Sequence, residues 1–370
     1  MARSVSRGEA RGLGAWVAVA AFVVAAALLI VLLASREGST PAAVAHFPAS
    51  QAVPVTIARP QRIVGVGVVG WRLPVAFAGP RDVAVTAAGT VWITEQNKGA
   101  VDAFTNGQLI RYEIDAKFPD SGAFGLGAGP DDSMWFTGYP NGNIGRLLPD
   151  GTANSFSALV DASGTVAVAQ ATDRAMWSTD VNLGVVIRIS DLGGVAAYAV
   201  PPPVGTTQQV GPYDIARGSD GTLWFTDPRT RSVGTISYAA GTPTIVEYPI
   251  LDGSDPRSIA AGQNGTMWVT LPKVPGIGRV DAPGSVHTFP VNAAKDPLND
   301  LAVAADGTIW LTTAGRDILH VRPDGTLIRR VAMPAGAMGA DGIAIGSDGT
   351  VWAAATDANM IVEIPNDVTG

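Results

Sequence analysis

No cysteine occurs in the 370 residues. That absence excludes disulfides, thiolate nucleophiles and cysteine-ligated zinc together. Charge is scarce as well, at 15% of residues, and what there is leans acidic, with 25 Lys and Arg against 32 Asp and Glu. A net charge of -7 without a basic stripe argues against nucleic acid as a partner, because phosphate contacts need clustered cations. Histidine occurs only three times, as His46, His287 and His320. The chain also lacks a Gly-rich phosphate loop before a helix, a His-Glu-x-x-His pair and a Gly-x-Ser-x-Gly elbow.

What the chain has in abundance is apolar sequence, 47% of residues, enough for a large core. One block of it lies near the start. Ala15 to Ala34 contains no charge, and twenty helical residues at ~1.5 Å each span about 30 Å, the thickness of a bilayer core. Arg3, Arg7 and Arg11 precede it, so the positive-inside bias puts residues 1–14 in the cytoplasm, 15–34 across the membrane as a signal-anchor helix, and the rest outside. A cleaved signal peptide ending near Ala43-Val44-Ala45 is the alternative. Residues 35–61, with four prolines and no sustained period, read as a tether; 62–370 form the folded region.

Within the folded region a single phrase recurs. DGTLWFTD (220–227) returns as AGTVWITE, DDSMWFTG, DRAMWSTD, NGTMWVTL, DGTIWLTT and DGTVWAAA. Its tryptophans, Trp92, Trp135, Trp177, Trp224, Trp268, Trp310 and Trp352, are spaced by 43, 42, 47, 44, 42 and 42 residues. A period in this range, with Val-Ile-Thr-Trp alternation between turn residues and no helical periodicity, predicts radial four-stranded blades. Seven copies predict an all-β, seven-bladed propeller. In the fourth copy the strands are expected at 213–217, 222–226, 233–237 and 244–248. The seventh copy runs out after 360–365, so a strand near Val68 to Val75 is expected to complete it and close the ring, removing an exposed edge.

The repeated residues have an architectural explanation. Asp-Gly supplies the positive φ of the first turn, and tryptophan is a wedge between diverging blades. Function is expected where the copies differ, on strand one, which lines the central channel. Eleven residues before each tryptophan stand Arg81, Phe124, Val166, Tyr213, Arg257, Asn299 and Asp341; ten before stand Asp82, Gly125, Ala167, Asp214, Ser258, Asp300 and Gly342. Three after stand Glu95, Gly138, Asp180, Asp227, Leu271, Thr313 and Ala355. Superposed, these predict a channel mouth carrying Arg81, Asp82, Glu95, Tyr213, Asp214, Asp227, Arg257, Asn299, Asp300 and Asp341. Glu95, Asp180, Asp214 and Asp227 are the candidate ligands for Mg2+ or Ca2+, and the two arginines the candidate clamp for an anionic or peptide-like ligand. Mutual neutralisation of these charges around a watery channel is the competing reading.

Units such as GPYDIARGSDGTLWFTDPRTRSVGTI (211–236), DPRSIAAGQNGTMWVTLPKVPGIGRV (255–280) and FGLGAGPDDSMWFTGYPNGNIGRLLPDG (124–151) resemble the virginiamycin B lyase (streptogramin lyase) family of seven-bladed propellers and, more distantly, NHL-repeat and gluconolactonase/regucalcin-like propellers. The resemblance covers roughly 68–370. It implies magnesium-assisted elimination that opens a cyclic depsipeptide, through histidines in a Glu-Pro-His-Gly-Ile context at the start of strand one and a glutamate after Trp-Phe-x. Glu95 occupies that glutamate position. Where the histidine would stand, Asp255-Pro256-Arg257 offers arginine, which cannot act as a base near neutral pH. The expectation is therefore a membrane-anchored, extracytoplasmic module that binds a small ligand or protein partner. A metal-dependent lyase or hydrolase acting on a cyclic peptide or lactone is the alternative, with catalytic residues unassigned.

Overall fold

The computed structural model describes residues 51–114, 122–139, 142–156, 163–239, 241–250 and 254–366. The expected membrane helix at 15–34 lies outside them, as do 1–14 and most of the expected tether. No helix among the described residues is long and apolar enough to cross a membrane.

The described residues form seven antiparallel sheets, each built around one copy of the repeat. In blade four the strands are Ile215–Arg217, Leu223–Asp227, Ser232–Ala239 and Thr242–Pro249, paired in sequence order. Strand one begins two residues later than expected, because Tyr213 and Asp214 bond to strand two through Tyr213 N to Thr226 O (2.7 Å) and Thr226 N to Asp214 O (3.0 Å), outside the regular ladder. The innermost strands contact one another in succession, and that of blade seven contacts that of blade one. The ring is closed.

The closing strand is Val68–Arg72, which pairs with Met360–Ile364. Gln61–Gly65 adds a fifth strand outside it. Trp71 Nε1 donates to Glu363 across this seam (2.8 Å). A stretch of the expected tether is likewise in the sheets: Val55–Ala58 lies along the outer strand of blade one, and Gln51–Ala52 along that of blade two. Short Val-Ile-Thr alternation suffices there, because an open blade edge offers a ready-made ladder.

The core lies between blades. Trp224 packs on Ile259 and Met267 of the next blade, and Trp177 on Ile215 and Phe225. The same wedge is repeated around the ring to Trp352, which packs on Val83 and Ile93 of blade one. Three residues before each tryptophan the backbone is left-handed: Gly89, Gly221, Gly265, Gly307 and Gly349 have φ between 81° and 88°, while Asp132 (56°) and Arg174 (66°) hold the same conformation without glycine. In three of these turns an aspartate carboxylate accepts the backbone N–H of the threonine two residues on, as Asp220 does from Thr222 at 2.9 Å.

Candidate functional site: the channel mouth

Strand two of each blade sorts its side chains by the pleat, alternate residues facing opposite sides. The tryptophan and the residue two beyond it face the next blade; the residues one and three beyond face the previous one. Thr226 shows what the first set does. Its hydroxyl accepts from Asp214 N (3.2 Å) and donates to Arg257 O of blade five (2.6 Å). Thr94, Thr137, Thr179, Thr270 and Thr312 make the same pair of bonds in their own blades. Blade seven has Ala354 at that position, and Thr356 takes over, donating to Pro80 O of blade one (2.6 Å). These threonines staple every strand one to its neighbour. Sequence reasoning misses them, although Trp-x-Thr is written in six of seven copies; threonine there reads as mere strand propensity.

The second set corrects the expectation for Glu95, Asp180 and Asp227. All three are fully buried away from the channel, because the pleat turns them toward the linker entering their own blade. Asp180 accepts from the backbone of Gly164, Asn182 and Leu183 (3.0 Å each) and from the Ser163 hydroxyl. Asp227 accepts from Gly211 (2.5 Å), Arg229 (2.8 Å) and Thr230 (3.0 Å). Glu95 is held by the buried Arg111, with Asp102 beside them raised well above the usual carboxylate range by burial and by the Glu95 charge. Glu247, next to Asp227, is pushed up to about 9 by burial and then by the Asp227 charge. The lone pairs of Asp180 and Asp227 are already taken by N–H and O–H donors, so these two do not fit a divalent cation, which needs free oxygens at one point. Glu95 pairs with Arg111 through one oxygen, and its other oxygen is buried with Asp102 close by. Among the described residues no group of three acidic or histidine side chains is arranged to hold one.

Strand one, by contrast, does bring its residues together. A cavity of about 80 Å³ is lined by both the eleven-before and the ten-before positions of all seven blades. Arg81, Asp82, Tyr213, Asp214, Arg257, Asn299, Asp300 and Asp341 meet there. His287 and His320 lie on a fourth and a third strand instead, and His320 stacks on Trp310 at 4.2 Å.

The cavity has two layers. At the outer layer Arg81 Nη1 pairs with Asp341 Oδ1 (2.5 Å), its Nη2 donates to the Tyr213 hydroxyl (3.3 Å), and its guanidinium lies over the Phe124 ring at 4.5 Å. Arg257 approaches the same Asp341 oxygen only to 3.9 Å, with its side chain 32% exposed. Asp341 Oδ2 lies 2.6 Å from the same Thr356 hydroxyl that reaches Pro80 O, and Asn299 Nδ2 donates to Ala340 O (2.9 Å). Two cations thus share one carboxylate.

The inner layer is acidic. Asp82, Asp214 and Asp300 each accept from the next residue's own N–H and from a strand-one N–H of the following blade: Leu126 (2.8 Å), Ile259 (2.8 Å) and Ile343 (3.0 Å). Burial, then the Asp300 charge, pushes Asp82 up to about 8 and Asp214 up to about 7; burial also raises Asp300. In two of the four blades where this position carries no acid, space explains it: a Cβ on Gly342 would meet Asp82 Oδ1 at 2.5 Å, and one on Gly125 would meet Val166 O at 2.3 Å.

A family model described as the virginiamycin B lyase family matches residues 66–364. A virginiamycin B lyase of Nocardia farcinica (strain IFM 10152) is 28% identical over 251 residues, 68% of each chain. Among solved structures, a streptogramin B lyase has a TM-score of 0.71 at 22% identity, over 82% of this chain and 97% of that one. A catalytically inactive histidine-to-alanine variant of Staphylococcus aureus virginiamycin B lyase, solved with quinupristin, also has a TM-score of 0.71 at 22% identity, over 84% and 99%. A gluconolactonase of Xanthomonas campestris follows at 0.52 and 16%, over 86% and 98%. At these identities the structural likenesses speak for the fold.

Proposed function

This chain belongs to the virginiamycin B lyase family, and on that premise we propose that it is a membrane-anchored, extracytoplasmic propeller that binds a small ligand or partner segment through an anionic group at the channel mouth. The observation that carries the reading is the unequal sharing of Asp341: Arg81 holds it at 2.5 Å with its side chain 16% exposed, while Arg257 stands off at 3.9 Å and is twice as open, at 32%. An arriving carboxylate would find in Arg257 a planar donor pair that its own partner leaves largely unused. The outer layer keeps a surplus of one positive charge, counting Arg81 and Arg257 against Asp341. Anchorage rests on the uncharged run from Ala15 to Ala34.

The family's name favours a second reading, a lyase or hydrolase acting on a cyclic peptide or lactone with Mg2+ or Ca2+. Against it stand the arginine at the start of strand one in blade five and the occupied lone pairs of Asp180 and Asp227. The two readings separate on quinupristin, the compound bound by the Staphylococcus aureus relative. Incubated with the full chain and magnesium, quinupristin should be recovered with its ring intact, judged by chromatographic retention and fragmentation, because ring opening by elimination leaves the mass unchanged and only hydrolysis adds a water; a ring-opened product would establish the lyase or hydrolase and displace the binding reading.

A further inference from the structure

Beneath the arginines, one hydroxyl faces two acids. Ser258 Oγ donates to Asp214 Oδ2 (2.9 Å) and lies equally within hydrogen-bond reach of Asp300 Oδ1. A serine hydroxyl carries one hydrogen. If it serves one carboxylate, the contact with the other is a meeting of lone pairs unless that carboxyl group carries a proton of its own. Among the described residues the other donors to these two carboxylates are the backbone N–H groups of Ile215, Ile259, Leu301 and Ile343. A proton held on the bridge across blades four, five and six would satisfy both serine contacts.

Ser258 is also the residue after Arg257, the more open of the two cations of the mouth. We propose that the channel is a proton-coupled anion site, in which a carboxylate settling on Arg257 is taken up together with a proton from solvent that the Asp214–Ser258–Asp300 bridge receives. The inference rests on the binding reading given above. Its logic is linkage: the Arg257 charge favours the ionised form of Asp300, so an anion that neutralises Arg257 withdraws that support. The proton then goes to whichever carboxylate of the bridge is ionised, and no covalent bond changes. The charged and titratable groups facing the pair are Arg81 and Asp82 of blade one, Tyr213, Arg257 and Asp341. Blades two and three present only Phe124, Gly125, Val166 and Ala167, which carry no charge. Asp82 and Asp341 repel a second negative charge on the bridge, which works in the same direction as the anion.

The test is calorimetric titration of the full chain with acetate, small enough for a cavity of about 80 Å³, in imidazole and in Tris buffers near pH 7. These buffers differ in ionisation enthalpy, so the difference in heat counts protons. We expect at least about half a proton taken up per acetate, and an affinity that falls at least about threefold per pH unit above neutrality. Asp300→Asn should abolish the buffer dependence; Asp214→Asn serves if that variant does not fold. Acetate binding that is sensitive to Arg257→Gln, yet gives equal heats in both buffers, overturns the coupling and leaves the mouth reading intact. Buffer dependence persisting in both Asn variants also overturns it. No acetate binding at all overturns the mouth reading, and the coupling with it.

Discussion

The three strand-one aspartates do two things at once. Each pins its blade to the next through a backbone N–H, and each is held in surroundings that favour the protonated form, since burial penalises ionisation of all three and the Asp300 charge adds to it at Asp82 and Asp214. The sign of the consequence is fixed. In the folded chain Asp82 and Asp214 titrate near 8 and 7, above the ~3.9 of an unfolded aspartate, so the folded state binds more protons between those limits. Stability is greatest below about pH 4 with respect to these groups and falls as pH rises through about 8. The depressed turn acids Asp306 and Asp348 change protonation below that window. Asp214→Asn mimics the neutral form and should flatten the decline by on the order of 1–2 kcal/mol between pH 5 and 8, read by urea denaturation at fixed pH values. A wild-type chain equally stable across that range would refute the account of these carboxyls. At this scale the sequence was half legible. The rosette of strand-one residues follows from counting back from each tryptophan. The burial of Glu95, Asp180 and Asp227 does not, because only the pleat says which side of strand two each residue takes.

Between elements, the threonine staple decides whether seven marginal sheets become one ring. A four-stranded blade buries little by itself; its stability comes from the faces it shares, of which Trp224 against Ile259 and Met267 is one. The staple fixes the spacing of those faces at the channel wall. Thr226→Val keeps the shape of the side chain and leaves Asp214 N and Arg257 O, both deep in the wall, without their partner. The expected cost is about 1–3 kcal/mol, seen as a lowered midpoint in chemical denaturation, with a smaller effect for Thr222→Val at the exposed turn. Equal effects at the two sites would show that the staple contributes no more than a surface bond. Blade number and strand order were legible in the periodicity alone. The staple was not, since its second bond reaches a carbonyl 31 residues away and leaves no local pattern.

For the whole molecule, closure and function meet in one place. Val68–Arg72 joins blade seven, Thr356 bonds Pro80 of blade one, and Asp341 of blade seven is gripped by Arg81 of blade one. The seam of the ring thus supplies both partners of the tight ion pair at the mouth, leaving Arg257 of blade five as the cation more open to a ligand. Closure by an N-terminal strand was readable from the seventh copy stopping one strand short. The fifth strands at 51–65 were not, because an outer edge accepts short sequences that carry no repeat signature. The central claim is that this mouth is a binding site for an anionic group. It is tested most directly by titrating acetate into the full chain and into Arg257→Gln, with the amide and aromatic signals of the mouth followed by NMR. We predict saturable shifts of the mouth resonances, with affinity at least about tenfold weaker in Arg257→Gln, corresponding to about 1.4 kcal/mol for one charge-assisted contact. Identical titrations of the two proteins would contradict it.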